Sequence, residues 1–347
     1  MSRTPLTQAL GTGLLAAVAV LAVPTASPAQ EVFKGKDLTM IIGYPPGAGN
    51  DLYGRLVARH IGRHIPGNPN VIAQNMPGAG SFKAANHIYN VSPKDGTQFG
   101  LVAQTVATEE MLGSPAVQFE TAKYTWLGRI SSYHVVSFTW HTVPVKTIAD
   151  AMTRETVLGS TGVGSTVYIY PQILHNLLGV KFKMVNGYEG TTQSMLAMER
   201  GEVEGASTGW TAVKASKQNW VKENKLNVLV QYAGSRHPDL PNVPNMVDLA
   251  RNDEERLILK VFASDAEIGK SIMAPPNVPA DRTAILRTAF NAWAKDPEVL
   301  ADVEKQKLDF DPMDGAELQT MIEDLAKTPK AVIAKARAVH PATQGKK

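Results

Sequence analysis

The chain has 347 residues, with 35 Lys or Arg and 32 Asp or Glu, so its formal net charge at pH 7 is +3. This near balance, without a long basic run, argues against a nucleic-acid-binding protein. The sequence contains no cysteine, which excludes disulfides, thiolate nucleophiles and Cys-ligated metals. Its length is enough for two lobes of ordinary domain size.

The first residues have the pattern of a secretory signal. Arg3 supplies a positive charge, 9–23 is a short apolar run, and Ser27 and Ala29 stand where small residues precede a cleavage site. The run is shorter than the roughly 20 apolar residues of a membrane-spanning helix. We therefore predict that 1–29 is a signal peptide and that the mature protein is periplasmic, a compartment that suits an exported chain without cysteine. The alternative is an apolar cytosolic helix.

Beyond residue 30, short apolar runs alternate with patterns of helical period. We predict strands at 38–42, 71–73, 99–103, 135–140, 157–160 and 228–232. We predict helices at 50–64, 82–91, 168–178 and 192–200, and amphipathic helices toward the end of the chain. Two of the later helices should begin near Asp296, where Pro297 suits a first turn, and near Asp314. This alternation predicts an α/β fold with parallel-rich sheets and helices on both faces.

The tetrapeptide Pro-Gly-Ala-Gly occurs twice, at 46–49 and 77–80, each time between a predicted strand and a predicted helix. A glycine turn that opens a helix presents free backbone N–H groups at the positive end of the helix dipole, which favours an anion. One such loop alone could be a simple turn, but two in the same context predict a carboxylate site. Its predicted residues are Gly47, Ala48, Gly49, Asn50, Gly78, Ala79, Gly80 and Ser81. We include Asp51, which should cap the first helix and could also fix the loop or accept a ligand amine.

Other motifs do not point to a cofactor or a metal. The first glycine loop lacks the third glycine of a dinucleotide fingerprint, because Leu52 stands in its place. His60 and His64 have the spacing of metal ligands on a helix, but no acidic ligand adjoins them and we expect a solvated face. The segment 205–209 matches the Gly-x-Ser-x-Gly pattern. It leaves an exported hydrolase with Ser207 as nucleophile as a minor alternative.

The order of the motifs resembles the Bug family of solute receptors, the periplasmic binding proteins of tripartite tricarboxylate transporters. The matching segments are Gly-Tyr-Pro-Pro-Gly-Ala-Gly-Asn-Asp (43–51), Asn-Met-Pro-Gly-Ala-Gly-Ser (75–81), Pro-Lys-Asp-Gly-Thr (93–97), Thr-Gly-Val-Gly-Ser (161–165), Gly-Tyr-Glu-Gly (187–190) and Pro-Asp-Leu-Pro-Asn-Val-Pro (238–244). The resemblance implies a two-lobe fold like that of type II periplasmic binding proteins, with two interlobe crossings. Lobe 1 would take 30–135 and 266–347, and lobe 2 would take 136–265.

The resemblance also implies a function. A small organic acid would bind between the lobes, the lobes would close on it, and the closed form would dock on membrane transporter subunits. We expect a monomer without a cofactor. The family places further cleft residues at Tyr44, Gln104, Gly164, Ser165, Thr166, Tyr188, Glu189 and Trp210. The alternative in the same class is a receptor that reports its ligand to a membrane sensor without transport.

Four positions depart from the family pattern near the expected ligand. Ala48 replaces a common glycine, Met76 replaces the usual Arg, Tyr168 stands where His is frequent, and Glu189 stands where Lys is frequent. A carboxylate at Glu189 would repel a polyanion if it faces the cleft. The class of acid therefore stays open between a di- or tricarboxylate, a monocarboxylate, an aromatic acid and an acid that carries an amine.

Overall fold

The computed structural model describes Met1 and residues 32–47, 49–163 and 165–344. The predicted signal peptide, apart from Met1, lies outside the described residues, as do Ala48 and Gly164. The strands are β1 (Asp37–Ile42), β2 (Asn70–Asn75), β3 (Gln98–Leu101), β4 (Thr125–Ser131), β5 (Val135–Trp140), β6 (Thr156–Gly159), β7 (Phe182–Val185), β8 (Gly205–Gly209), β9 (Leu226–Tyr232), β10 (Lys270–Ala274) and β11 (Met313–Asp314).

The helices lie between these strands and after them. They are α1 (Gly49–His60), α2 (Phe82–Asn90), α3 (Val106–Met111), α4 (Ile148–Thr153), α5 (Thr166–Leu178), α6 (Thr191–Glu199), α7 (Trp210–Ser216), α8 (Gln218–Lys222), α9 (Asp253–Ile268), α10 (Ala280–Trp293), α11 (Pro297–Gln306), α12 (Gly315–Ala326), α13 (Lys330–Val339) and α14 (Pro341–Gln344). Among the described residues, none of these helices combines the length and the apolar character that a membrane crossing requires.

The strands form two separate mixed sheets, one in each lobe. The first sheet has the order β11-β4-β10-β3-β1-β2, and the second has the order β7-β6-β8-β5-β9. In the first sheet β2, β1 and β3 are parallel, whereas β10 runs antiparallel to β3 and β4. In the second sheet β7, β6 and β8 are parallel, and β5 runs antiparallel to β8 and β9. This arrangement confirms the predicted two-lobe α/β class.

Both faces of each sheet are covered by helices. Along β1, Leu38, Met40 and Ile42 pack into one apolar cluster, whereas Ile41 packs into the cluster on the opposite face. Side chains alternate between faces along a strand, so a strand covered on both sides is apolar at most of its positions. This explains why the run 38–42 predicts a strand although it shows no alternation of polar and apolar residues.

The last two helices leave the first lobe. The sequence assigns 266–347 to the first lobe, where β10 and α10–α12 do lie. In α13, however, Val332 and Ala336 pack in the apolar cluster of the second sheet, and the helix contacts α5 and α9. The physical reason is an apolar stripe on α13 that fits α9. This packing favours a further return of the chain to the second lobe after α12, and the lobe boundaries stay a prediction.

Candidate functional site: the interlobe cleft

A cleft of about 570 Å³ lies between the two lobes, a size in the usual range of small-molecule sites. It stands beyond the carboxyl ends of β1, β3 and β8, which is where open α/β sheets commonly bind ligands. The first lobe and the connection to the second lobe contribute Tyr44, Gly49, Asn50, Leu52, Tyr53, Gln104, Tyr133, Lys270, Gln306, Lys307 and Leu308. The second lobe contributes Thr191, Thr208, Gly209, Thr211, Ala212 and Ala215.

The charges around the cleft favour an anion. Two helices begin at its lining, α1 at Gly49 and α6 at Thr191, and the N-terminus of a helix carries partial positive charge. The charged residues among the described lining residues are Lys270 and Lys307, and no carboxylate lines the cleft there. The remaining polar groups are neutral amides and hydroxyls.

Lys270 is the charged residue at the floor of the cleft. It is the first residue of β10, only 8% exposed, and β10 is flanked by β3 and β4 on either side. Its Nζ lies 4.7 Å from the centre of the Tyr53 ring and 4.8 Å from that of Tyr133. Burial lowers the pKa of Lys270 to about 8, against the opposing effect of Asp309 and Asp311. The ammonium is therefore mostly protonated at neutral pH.

Thr208 and Gly209 end β8 on the opposite wall. Thr208 is fully buried, and its Oγ1 has no hydrogen-bond partner among the described residues. At Gly209, a side-chain Cβ would lie 3.2 Å from the Tyr133 ring, so a larger residue would crowd the cleft. The preceding Ser207 has no such role, because its Oγ lies 2.6 Å from Ser137 Oγ inside the second sheet.

The first glycine loop is fixed by Asp51. The buried Asp51 carboxylate accepts hydrogen bonds from Gly47 N (2.8 Å), Arg55 Nε (2.9 Å) and Asn75 Nδ2 (2.7 Å). Burial raises its pKa, but these hydrogen bonds outweigh that effect and lower it. The Gly47 N–H is thus already used within the protein. Gly49, Asn50 and Tyr44 do line the cleft, as predicted residues of this loop.

The second glycine loop lies outside the lining of the cleft. Gly78, Ala79 and Gly80 are exposed, and all three have positive φ angles. Ser81 is buried, and its Oγ accepts a hydrogen bond from Ala103 N at 3.1 Å. A Cβ at Gly43 would collide with this hydroxyl, so Ser81 joins the ends of β1 and β3. A ligand contact from this loop stays a prediction.

The residues predicted from the second lobe also lie outside the lining. Ser165 Oγ donates to Gly162 O at 2.7 Å, and Thr166 is the first residue of α5. Trp210 is buried and donates from Nε1 to Asp239 at 3.1 Å. Tyr188 packs at the edge of an apolar cluster, and Glu189 is exposed. Their ligand roles stay predictions, whereas Gln104, from the first lobe, does line the cleft.

Sequence reasoning missed the residues at the centre of the site. Tyr53, Tyr133, Thr208 and Lys270 are not among the predicted site residues. The signal that could have revealed the site is Lys270 itself, a charged residue at the start of the mostly apolar segment Ser-Ile-Met-Ala. A lysine that begins a central strand has no water nearby unless a cavity reaches it.

The fold and the cleft define a two-lobe α/β binding protein. The model of the tripartite tricarboxylate transporter family receptor matches residues 55–338. The chain therefore belongs to this receptor family, which confirms the resemblance drawn from the motifs. The family and the fold are those of solute-binding receptors.

Three relatives show the extent of the similarity. The UPF0065 protein in the gbd 5′ region of Cupriavidus necator is 28% identical over 247 residues, which cover 68% of this chain and 72% of the relative. A TctC solute-binding protein from Polaromonas has a TM-score of 0.67 at 20% identity, covering 86% of this chain and 98% of that one. An R. palustris protein solved with adipate has a TM-score of 0.59 at 18% identity, covering 88% and 98%.

Proposed function

We propose that this protein is a receptor that captures a small organic acid in the interlobe cleft. The observation that carries the proposal is the charge of that cleft, where Lys270, Lys307 and two helix N-termini face a cavity whose described lining has no carboxylate. An anion gains from such a lining, whereas a cation or a neutral solute has no comparable partner. The family membership and the adipate in one similar structure support a carboxylate.

The receptor would act outside the cytoplasm and deliver its ligand to membrane transporter subunits. The family supports this assignment, and export would follow from cleavage after Ala29. We expect a monomer, since each chain carries both walls of the cleft. N-terminal sequencing of the periplasmic fraction should find Gln30 as the first residue, and an intact Met1 on a cytosolic protein would contradict export.

We also propose that the protein is not an enzyme. Ser207, the nucleophile of the hydrolase alternative, is fully buried within β8, two residues before the strand ends. Its hydroxyl is held by Ser137, which also contacts Tyr232 OH at 2.7 Å. A nucleophile elbow instead exposes its serine at a sharp turn between strand and helix. Turnover of ester substrates that Ser207→Ala abolishes would contradict this proposal.

A titration with organic acids tests the binding function. Isothermal titration should detect at least one small carboxylic acid with the wild-type protein, and the ligand should raise the melting temperature. Ala212→Trp should abolish binding, because Ala212 lines the cleft on α7 and an indole would fill it. Ala301→Trp is the matched control, since Ala301 is exposed on α11 outside the cleft. Equal affinities of the two variants would contradict the proposed site.

A further inference from the structure

The buried ammonium of Lys270 lacks an anionic partner within the protein. The two carboxylates that act on it, Asp309 and Asp311, are each paired with another cation. Asp309 lies 3.2 Å from Lys214 Nζ, and Asp311 lies 3.1 Å from Arg129 Nη2. Among the described residues, Lys270 forms no ion pair of its own. Its aromatic neighbours offset only part of the free-energy cost of a desolvated cation.

A second polar group in the same cleft is also unsatisfied. Thr208 has no exposed surface, and within the described part of the chain its hydroxyl finds no hydrogen-bond partner. A buried hydroxyl without a partner has lost its hydration without gaining a hydrogen bond, which destabilises the protein. Thr208 belongs to the same cleft lining as Lys270, so a hydroxyl and an ammonium, both without a partner for their charge or hydrogen bond, lie along one cavity.

Apart from Lys307 and the N-termini of α1 and α6, the rest of the described lining carries no charge. Leu52, Ala212, Ala215 and Leu308 give apolar surface. The second cation, Lys307, is exposed at the rim, where water screens an ion pair and leaves it weak. Lys270 is thus the one buried formal positive charge among the described lining residues, and the rest of that lining is apolar or neutral apart from Lys307 at the rim.

We infer that the ligand is a monocarboxylic acid whose carboxylate is held by Lys270 and Thr208 and whose carbon chain packs on the apolar walls of the cleft. This inference rests on the proposed function and specifies its ligand class. If the ligand carried a second carboxylate, that group would lose its hydration in the cleft without a buried cation to pair with. Each additional carboxylate on the ligand should therefore weaken binding.

Three acids that differ in the number of carboxylates test the inference. Hexanoate and adipate have the same six-carbon chain, with one and two carboxylates, and tricarballylate has three. Isothermal titration at pH 7 should give hexanoate an affinity at least tenfold higher than that of adipate, with tricarballylate weaker still. If adipate or tricarballylate binds as tightly as hexanoate, the inference is wrong while the proposed function stands. If no carboxylic acid binds, the proposed function fails and the inference falls with it.

Two variants test the role of Lys270 in particular. Lys270→Met keeps the length of the side chain, removes the buried charge and should fold, because it leaves no ion partner unpaired. It should reduce hexanoate affinity at least 30-fold while the melting temperature stays the same or rises. Lys260→Met, on the exposed face of α9, is the matched control and should bind hexanoate like the wild type. Hexanoate affinity within threefold of the wild type in Lys270→Met would overturn the inference.

Discussion

A single lysine shapes the chemistry of the cleft at the residue scale. Lys270 follows Gly269, whose φ of 52° and contact with the Ser131 backbone leave no room for a side chain. The glycine thus fixes the start of β10 and with it the position of the ammonium. Tyr53 is fixed as well, because its hydroxyl donates to Asp309 O at 3.0 Å. The ring and the ammonium are therefore preorganised before a ligand arrives, which reduces the cost of binding.

The lowered pKa of Lys270 predicts a dependence of ligand affinity on pH. An acid binds the protonated ammonium, and the pKa of that group in the free protein is about 8. The affinity should therefore be nearly constant from pH 6 to pH 7 and fall as the pH rises through 8, approaching about tenfold per pH unit. Titration calorimetry with hexanoate between pH 6 and pH 10 measures this change.

The other groups that face Lys270 do not produce the same profile. Burial raises the pKa values of Tyr53 and Tyr133, so both rings stay neutral over most of this range. Asp309 and Asp311 face the ammonium from the segment after α11, and their negative charge favours its protonated form. Any acid that Lys270→Met still binds weakly should show a flat profile up to pH 9. An unchanged fall in this variant would assign the titration to another group.

How far the sequence predicts the site depends on the kind of residue. Asn50, Gln104 and Tyr44 follow strands at motif positions, and the structure places them in the cleft. Leu52 is an apolar residue of the predicted helix 50–64, yet it is 38% exposed and lines the cleft. Helical periodicity identifies an apolar face without telling whether that face meets a core or a cavity. The residues beside Lys270, Tyr53 and Tyr133, come from segments far from it in sequence, so no local pattern reveals that they meet.

At the scale of elements, a row of ion pairs holds α1 and the 3-10 turn after it (Ile61–His64) against α11. Arg59 and His60 both contact Asp302 at 3.0 Å, and His64 contacts Asp296 at 2.7 Å. The sequence predicts a solvated face for His60 and His64, which is wrong because α11 covers it. The acids lie some 240 positions later in the chain, so local spacing cannot reveal them.

Asp296 is expected to stabilise this contact more than an ordinary surface acid does. It is the N-cap of α11, accepts from Glu298 N at 2.9 Å and pairs with Arg63 and His64. Asp296→Ala should lower the free energy of unfolding at pH 7 by about 1–3 kcal/mol, because the cap and a charge-assisted hydrogen bond are lost. Urea unfolding measures this difference.

The effect of Asp296 should also disappear in acid. Partial burial raises its pKa, but the hydrogen bonds from Arg63, Glu298 and His64 outweigh burial and lower the pKa from 3.8 to about 2. A carboxylate with a lowered folded-state pKa stabilises the protein above its unfolded pKa. The difference between wild type and Asp296→Ala should therefore shrink as the pH falls from 4 to 2. Asp324→Ala, which removes an exposed pair with Lys327, is the control and should change stability far less.

Local sequence pattern also predicts some strands and misses others. The runs 38–42 and 135–140 predict β1 and β5 because their residues are apolar and β-branched or aromatic. The central strand β8 is missed because its sequence, Gly-Ala-Ser-Thr-Gly, is small and polar. At Gly205, a Cβ would lie 2.2 Å from Phe138 O. Close approach of the neighbouring strands selects such residues, and only the tertiary structure shows that approach.

At the scale of the whole molecule, contacts join the lobes on both sides of the cleft. At one side, Asp265 of α9 accepts hydrogen bonds from Thr108 of α3 and from Tyr170 of α5. At the other, Lys214 of α7 in the second lobe contacts Asp309 of the first lobe at 3.2 Å and Asp239 of its own lobe at 2.8 Å. The first contact is fully buried, whereas the second is partly exposed. Opening of the cleft should therefore break the Lys214 contact and keep the Asp265 contact.

We expect the ion pair between Lys214 and Asp309 to contribute measurably to the free energy of lobe closure. Partly exposed ion pairs contribute about 0.2–1 kcal/mol, so Lys214→Met should weaken hexanoate binding by about 1.4- to fivefold, mainly through faster dissociation. Small-angle scattering should show a larger radius of gyration for the free variant than for the wild type. Lys217→Met is the matched control, because Lys217 pairs with Glu199 inside the second lobe at 3.2 Å. If both variants release ligand at the wild-type rate, the Lys214–Asp309 contact does not hold the lobes together, and closure depends on the ligand and the buried contacts alone.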